Sequence, residues 1–81
     1  MPYYDFFWTD DIIAHIAEHD ITPKDFERVV MNPVDMDRSE SSGSPAAFGY
    51  TRDGRFIIAV FEYLDDTTIL PVTAYEVPEP R

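Results

Sequence analysis

Asp53-Gly54 stands between two apolar runs, "AAFGYTR" and "RFIIAVFEYL". An Asp-Gly pair flanked by strand-like residues is the strongest short-range signal for a β-hairpin. On the first run Phe48, Tyr50 and Arg52 alternate onto one face. The second run is apolar on both faces, which places it in the middle of a sheet. "DDT" then turns the chain into "TILPVTAYEV". Pro71 in that last strand has no N–H to donate, so the strand is expected at a sheet edge or with a bulge at the proline. Upstream, "VDMDRS" (Val34 to Ser39) reads as a short strand with Val34, Met36 and Arg38 on one side, followed by the polar loop "ESSGSP".

The N-terminal half switches to the helical period. "YYDFFW", Tyr3 to Trp8, is apolar and β-prone and reads as a first strand. Thr9 or Asp10 then caps a helix from about Asp11 to His19, in which Ile12, Ile13, Ile16 and Ala17 share one face. "DITPKDFERVVMNP" stops that helix and starts another. Thr22 is the N-cap, Pro23 takes the first helical position and Ile21 and Phe26 are placed to staple across the cap. The second helix buries Phe26, Val29 and Val30 and stops before Pro33. The order β-α-α-β-β-β-β predicts an α+β domain, an antiparallel sheet with a helical hairpin packed on one face. One domain over residues 1–77 and a short flexible tail at 78–81 account for the chain of 81 residues.

Charge narrows the function classes. Sixteen acids against six bases give a net charge of −10. Such a field repels polyphosphate and favours a basic protein partner. Cysteine is absent, so neither disulfides nor thiolate metal sites are available. No apolar run approaches the ~20 residues of a membrane span. The opening stretch also lacks the basic region and cleavage site of a signal peptide, so the cytoplasm is the expected compartment.

"HIAEH", His15 to His19, spells H-x-x-E-H, a pattern found in one class of zinc proteases. Two histidines four apart share a helix side, as metal ligands would, with Glu18 available as a general base. On a helical wheel, however, both histidines flank the isoleucine stripe. They are expected at a helix–sheet border, where the helical hairpin bends, with no metal and no cofactor. A zinc hydrolase is the remote alternative.

From Phe6 to Glu76 the order of weak motifs resembles the BrnT-like toxin family, part of the RelE-like ribonuclease toxin group. "FFWTDDIIAHIAEHDITPKDFERVVMNP" is similar to its N-terminal half, a strand ending in tryptophan and an acid followed by two short helices. "AFGYTRDGRFIIAVFEYLDDTTILPVTAYEV" is similar to its strand, turn, strand and closing R-P-V-[ST]-A-R segment. The resemblance implies a RelE/BrnT-like fold in a toxin–antitoxin system of bacteria, an RNA-cleaving domain neutralised by an antitoxin-like partner. In this chain Leu70 and Tyr75 stand where that segment is commonly basic, and "PEPR" replaces a basic C-terminal helix.

Metal-independent RNA cleavage needs proton carriers and cations near the phosphate. The candidate catalytic residues are therefore Arg52, Arg55, His19 and Tyr75. Lys24, Arg28, Arg38 and Arg81 are the other cations, and Tyr50 and Tyr63 could stack on bases. RNA as a ligand is disfavoured by the net charge, so any such ribonuclease is expected to be weak. The alternative is a catalytically inactive, acidic protein-interaction module. Its partner is a basic antitoxin-like protein bound at the edge strand from Thr67 to Tyr75, or a second copy pairing edges.

Overall fold

Two threonines set where the helices begin. In the computed structural model, which describes residues 4–38 and 43–79, Thr9 accepts a hydrogen bond from the Ile12 amide at 3.2 Å and opens α1 (Asp10–Ala17). Thr22 forms a reciprocal box with Asp25. Its hydroxyl accepts from the Asp25 amide at 3.2 Å, and the Asp25 carboxylate accepts from the Thr22 amide at 3.3 Å. With Pro23 in the first turn, this starts α2 (Pro23–Met31).

Between the helices the chain closes tightly. The Asp20 amide donates to the Ala17 carbonyl at 3.0 Å and the Ile21 amide to the Ile16 carbonyl at 3.1 Å. Asp20 takes the left-handed conformation, φ 59°, which this closing turn usually assigns to glycine. Ile21 and Ile16 then meet in the core, both buried. A side chain in that conformation costs roughly 1–2 kcal/mol, partly offset by the extra freedom glycine has when unfolded. Asp20→Gly is therefore expected to stabilise the domain by about 0.5–1 kcal/mol, a rise of a few degrees in Tm by calorimetry. An unchanged or lower Tm would show that the Asp20 side chain contributes more than its backbone strain costs.

The remaining elements are strands: β1 (Asp5–Phe6), β2 (Asp35–Arg38), β3 (Pro45–Tyr50), β4 (Phe56–Tyr63) and β5 (Thr68–Glu76). They lie in the order β1-β5-β4-β3-β2. Strands β2 to β5 form an antiparallel meander as expected. The expectation of a wholly antiparallel sheet is corrected at one edge. β1 pairs parallel to β5, Asp5 opposite Thr68 and Phe6 opposite Ile69, so the sheet is mixed. The meander starts at the far edge and returns the last strand beside the first, a pairing with no local turn to announce it.

The Asp53-Gly54 hairpin forms, but with a three-residue loop, so Arg52 lies in the turn rather than on the strand face expected for it. Thr51 donates to the Arg55 carbonyl at 2.8 Å and Gly54 supplies φ 88°. Pro71 sits at a bulge: Val60 faces Thr73 while Phe61 faces Pro71, leaving Val72 unmatched. The strand expected at an edge lies instead between β1 and β4 in strand order. β1 covers only Thr68 and Ile69, and α1 packs against the same strand.

Both helices cover one face of the sheet. Phe26, Val29 and Val30 of α2 are buried over β3 and β4, as their spacing predicts. The approach is close: a Cβ on Gly49 of β3 would lie 3.3 Å from Val29. In α1 the expected four-residue apolar face is narrower than its pattern. Only Ile16 is fully buried, and Ile13 is 36% exposed. This helix packs against β5, which borders the short β1, rather than over the middle of the sheet. Tyr3, residues 39–42 of the polar loop, and Arg81 lie outside the described residues.

Candidate functional site

Two regions carry chemistry. The first is the exposed side of α1, where the i, i+4 spacing of His15 and His19 sets both rings toward β5. His15 Nε2 and Thr73 Oγ1 share a hydrogen bond of 2.8 Å. The His19 ring lies 6.2 Å from the Tyr75 ring and 5.9 Å, edge to face, from the His15 ring. Both histidines are exposed rather than half-buried at the border. Glu18 lies 3.8 Å from His15 Nδ1. Among the described residues no group of three or more His, Asp or Glu is arranged to hold a metal ion.

Arg55 reaches the same end of the sheet by its hydrogen bonds to the end of α1. Its guanidinium donates to the Asp20 carbonyl at 2.6 Å and to the His19 carbonyl at 3.5 Å. It also pairs with Asp53 at 3.1 Å and approaches Asp25 at 3.9 Å. These carbonyls lie at the negative end of the α1 dipole, so Arg55 neutralises a helix terminus. Thr51 donates to the Asp53 carboxylate. That bond above all, with help from Arg55, holds the Asp53 pKa below the ordinary value.

Thus the His19 and Tyr75 rings meet and Arg55 joins them through the His19 carbonyl, whereas Arg52 stays exposed in the turn without a hydrogen bond or ion pair among the described residues. The cluster has proton carriers, but its one cation faces two carbonyls and two carboxylates. A phosphate brought there would compete with four acceptors already in place.

The second region is the sheet face opposite the main core; it carries Thr73 and Tyr75 at one side, where the α1 histidines touch it. Register puts Ala46, Phe48 and Tyr50 of β3 opposite Val60, Ile58 and Phe56 of β4. Ala46, Ile58 and Val60 form a second apolar cluster, joined by Phe48 and Val77. An antiparallel sheet face turned to water is ordinarily polar; this one is apolar along its centre, where Ala46, Phe56, Ile58 and Val60 are buried and Phe48 is half-buried. Phe48 and Phe56 stack, centroids 6.1 Å apart and planes at 19°. Asp35 and Asp37 of β2 lie in register with Phe48 and Ala46, which puts both carboxylates on this face. The segment after β5 crosses one end. The Val77 amide donates to the Phe56 carbonyl at 3.0 Å, and the Tyr50 hydroxyl donates to Glu79 at 3.4 Å. Burial, then the Glu79 charge, raises the Tyr50 pKa. A groove of about 390 Å3 runs between these parts, lined by Val34, Asp35, Asp37, Phe48, Phe56 and Pro78.

Reading for catalytic residue types passes over this face. Its signal was nevertheless present: six consecutive apolar residues in β4, Phe56 to Phe61, need cover on both faces, and one helical hairpin supplies one. Neither a protein-family model, nor a curated protein, nor a solved structure matches this chain. Among the described residues no helix is long and apolar enough to cross a membrane.

Proposed function

We propose that this chain is a protein-interaction module of the RelE/BrnT-like toxin group, whose acidic surface takes up a basic, antitoxin-like protein in the bacterial cytoplasm. The observation that carries the reading is the groove on the second sheet face, walled by exposed Val34 and half-buried Phe48 and edged by Asp35 and Asp37, on a chain of net charge −10. Apolar area supplies the affinity of such a contact, and the charge supplies partner choice and encounter rate. The element order, two short helices after a first strand and then a meander, suits the toxin-group fold. An Arg55 guanidinium already held by the Asp20 carbonyl and Asp53 fits a member that binds without cleaving.

A second reading, a weak metal-independent ribonuclease, is favoured by one observation: His19, Tyr75 and Arg55 stand together beside β5. There His19 and Tyr75 would carry protons, with Arg52 and Arg55 as the cations. Expressing the domain alone in a bacterium separates the two. The interaction module predicts normal growth and intact mRNA at high expression of folded protein. Arrested growth with cleaved mRNA, abolished by His19→Ala or Tyr75→Phe in a folded variant, would replace it with the ribonuclease.

A further inference from the structure

We infer that the groove on the second sheet face binds a segment of a basic partner protein, with an arginine side chain seated on Phe48 and held by Asp35 and Asp37. This rests on the interaction-module reading and adds the place and the chemistry of the contact. Four observations converge on it.

The floor is aromatic. The half-buried Phe48 offers the ring on which a guanidinium stacks, backed by the buried Phe56 ring stacked against it, and Val34, 59% exposed, adds an apolar wall. The rim is preset. One oxygen of Asp35 accepts from the Met36 amide at 2.9 Å, and one oxygen of Asp37 accepts from the Arg38 amide at 2.8 Å. These bonds fix the carboxylates and leave the second oxygen of each without a hydrogen bond among the described residues. No cation of the chain pairs with either among the described residues, since the ion pairs there involve Glu18, Asp25 and Asp53. Both carboxylates are exposed, so a complementary charge can reach them from outside.

The same two bonds exclude other occupants. Met36 and Arg38 are alternate residues of the edge strand β2, and their amides are already taken by side chains. A partner adding a strand at that edge would find no donor free there, so the occupant lies across the face instead. A second copy would bring the same carboxylates and a further net charge of −10 to the contact. RNA phosphates meet the same repulsion. A basic, partly apolar segment satisfies both the floor and the rim.

The test is a nuclear magnetic resonance titration of the isotope-labelled chain. The probe is an amphipathic peptide of alternating leucine and arginine, with its citrulline counterpart as the uncharged control. Saturable shifts are expected at the amides of Asp35, Asp37, Phe48 and Phe56. The double variant Asp35→Asn with Asp37→Asn keeps the shape and the amide acceptors, and it should weaken binding tenfold or more, as should citrulline. Phe48→Ala should weaken it independently. Asp65→Asn with Asp66→Asn removes equal charge elsewhere and should leave affinity unchanged.

Equal weakening by both double variants would reduce the contact to bulk electrostatics and overturn the groove. Shifts confined to α1 or to the β4–β5 turn would overturn the groove while leaving the interaction-module reading in place, as would absence of peptide binding. That reading fails separately, on cleaved mRNA in the growth experiment.

Discussion

Phe26→Ala is expected to remove a large share of the domain's stability. Phe26 is fully buried and meets the Trp8 ring edge to face at 5.3 Å and the Phe6 ring at 6.4 Å. Trp8 in turn donates from its indole to Glu27 at 2.8 Å, which ties the segment after β1 to α2. Truncating a buried phenylalanine to alanine costs about 3–5 kcal/mol, because the cavity adds to the lost transfer energy. A domain of this length holds only about 4–12 kcal/mol in total, at roughly 0.05–0.15 kcal/mol per residue. Far-ultraviolet circular dichroism and a urea melt would show the loss directly. Ile13→Ala supplies the control. Ile13 belongs to the same helical pattern but is 36% exposed, so its truncation should cost under about 1 kcal/mol. Comparable losses in both variants would contradict the placement of the helices.

Arg55→Ala should be the most damaging change among the six basic residues. Its guanidinium joins the end of α1, the Asp53-Gly54 turn and the start of α2 through the partners already described. Hydrogen bonds to a charged group contribute about 1.5–3 kcal/mol each. With a quarter of the side chain exposed, water replaces some of that, and a net loss of about 2 kcal/mol is expected. In a domain of this size that lowers Tm by roughly 8–16 °C. Arg55→Lys keeps the charge but not the planar fork, and it should recover less than half of the loss. Arg52→Ala should leave Tm within a few degrees, because that side chain makes no such bonds. Thermal melts of the three variants decide the matter. Arg52 is accordingly the cleaner probe of RNA cleavage, since any effect of Arg55→Ala on activity comes mixed with lost stability.

Local rules accounted for whatever is enforced locally. Thr9 and Thr22 were legible as caps because a short oxygen beside free helix amides has one obvious use. Gly54 was legible because the turn needs a positive φ, and Pro71 because it lacks a donor. The parallel partner of β5 was not legible. Asp5 and Thr68 meet only after the whole meander has formed. The width of the α1 stripe misled for a related reason. Periodicity gives a direction, but burial depends on how much of the sheet lies beneath the helix.

The candidate residues divide in the same way. Residue type alone singled out His19, Tyr75 and Arg55, and the fold gathers them beside β5. Residue type said nothing of what would already occupy the Arg55 guanidinium, because its acceptors at His19 and Asp20 are backbone carbonyls more than thirty positions away. The groove was still less accessible to sequence. Asp35, Phe48, Phe56 and Pro78 come from four separate segments and share a surface only through strand register.

By itself, then, the sequence determined the helix caps, the hairpin turn, the α+β class and the strong negative charge, all properties of neighbouring residues or of composition. Tertiary structure alone decided which strand lies beside β5, which arginine is spent on a helix end, and which residues line the groove on the second sheet face. Those depend on contacts between distant segments, where burial and register, rather than local preference, set the energy.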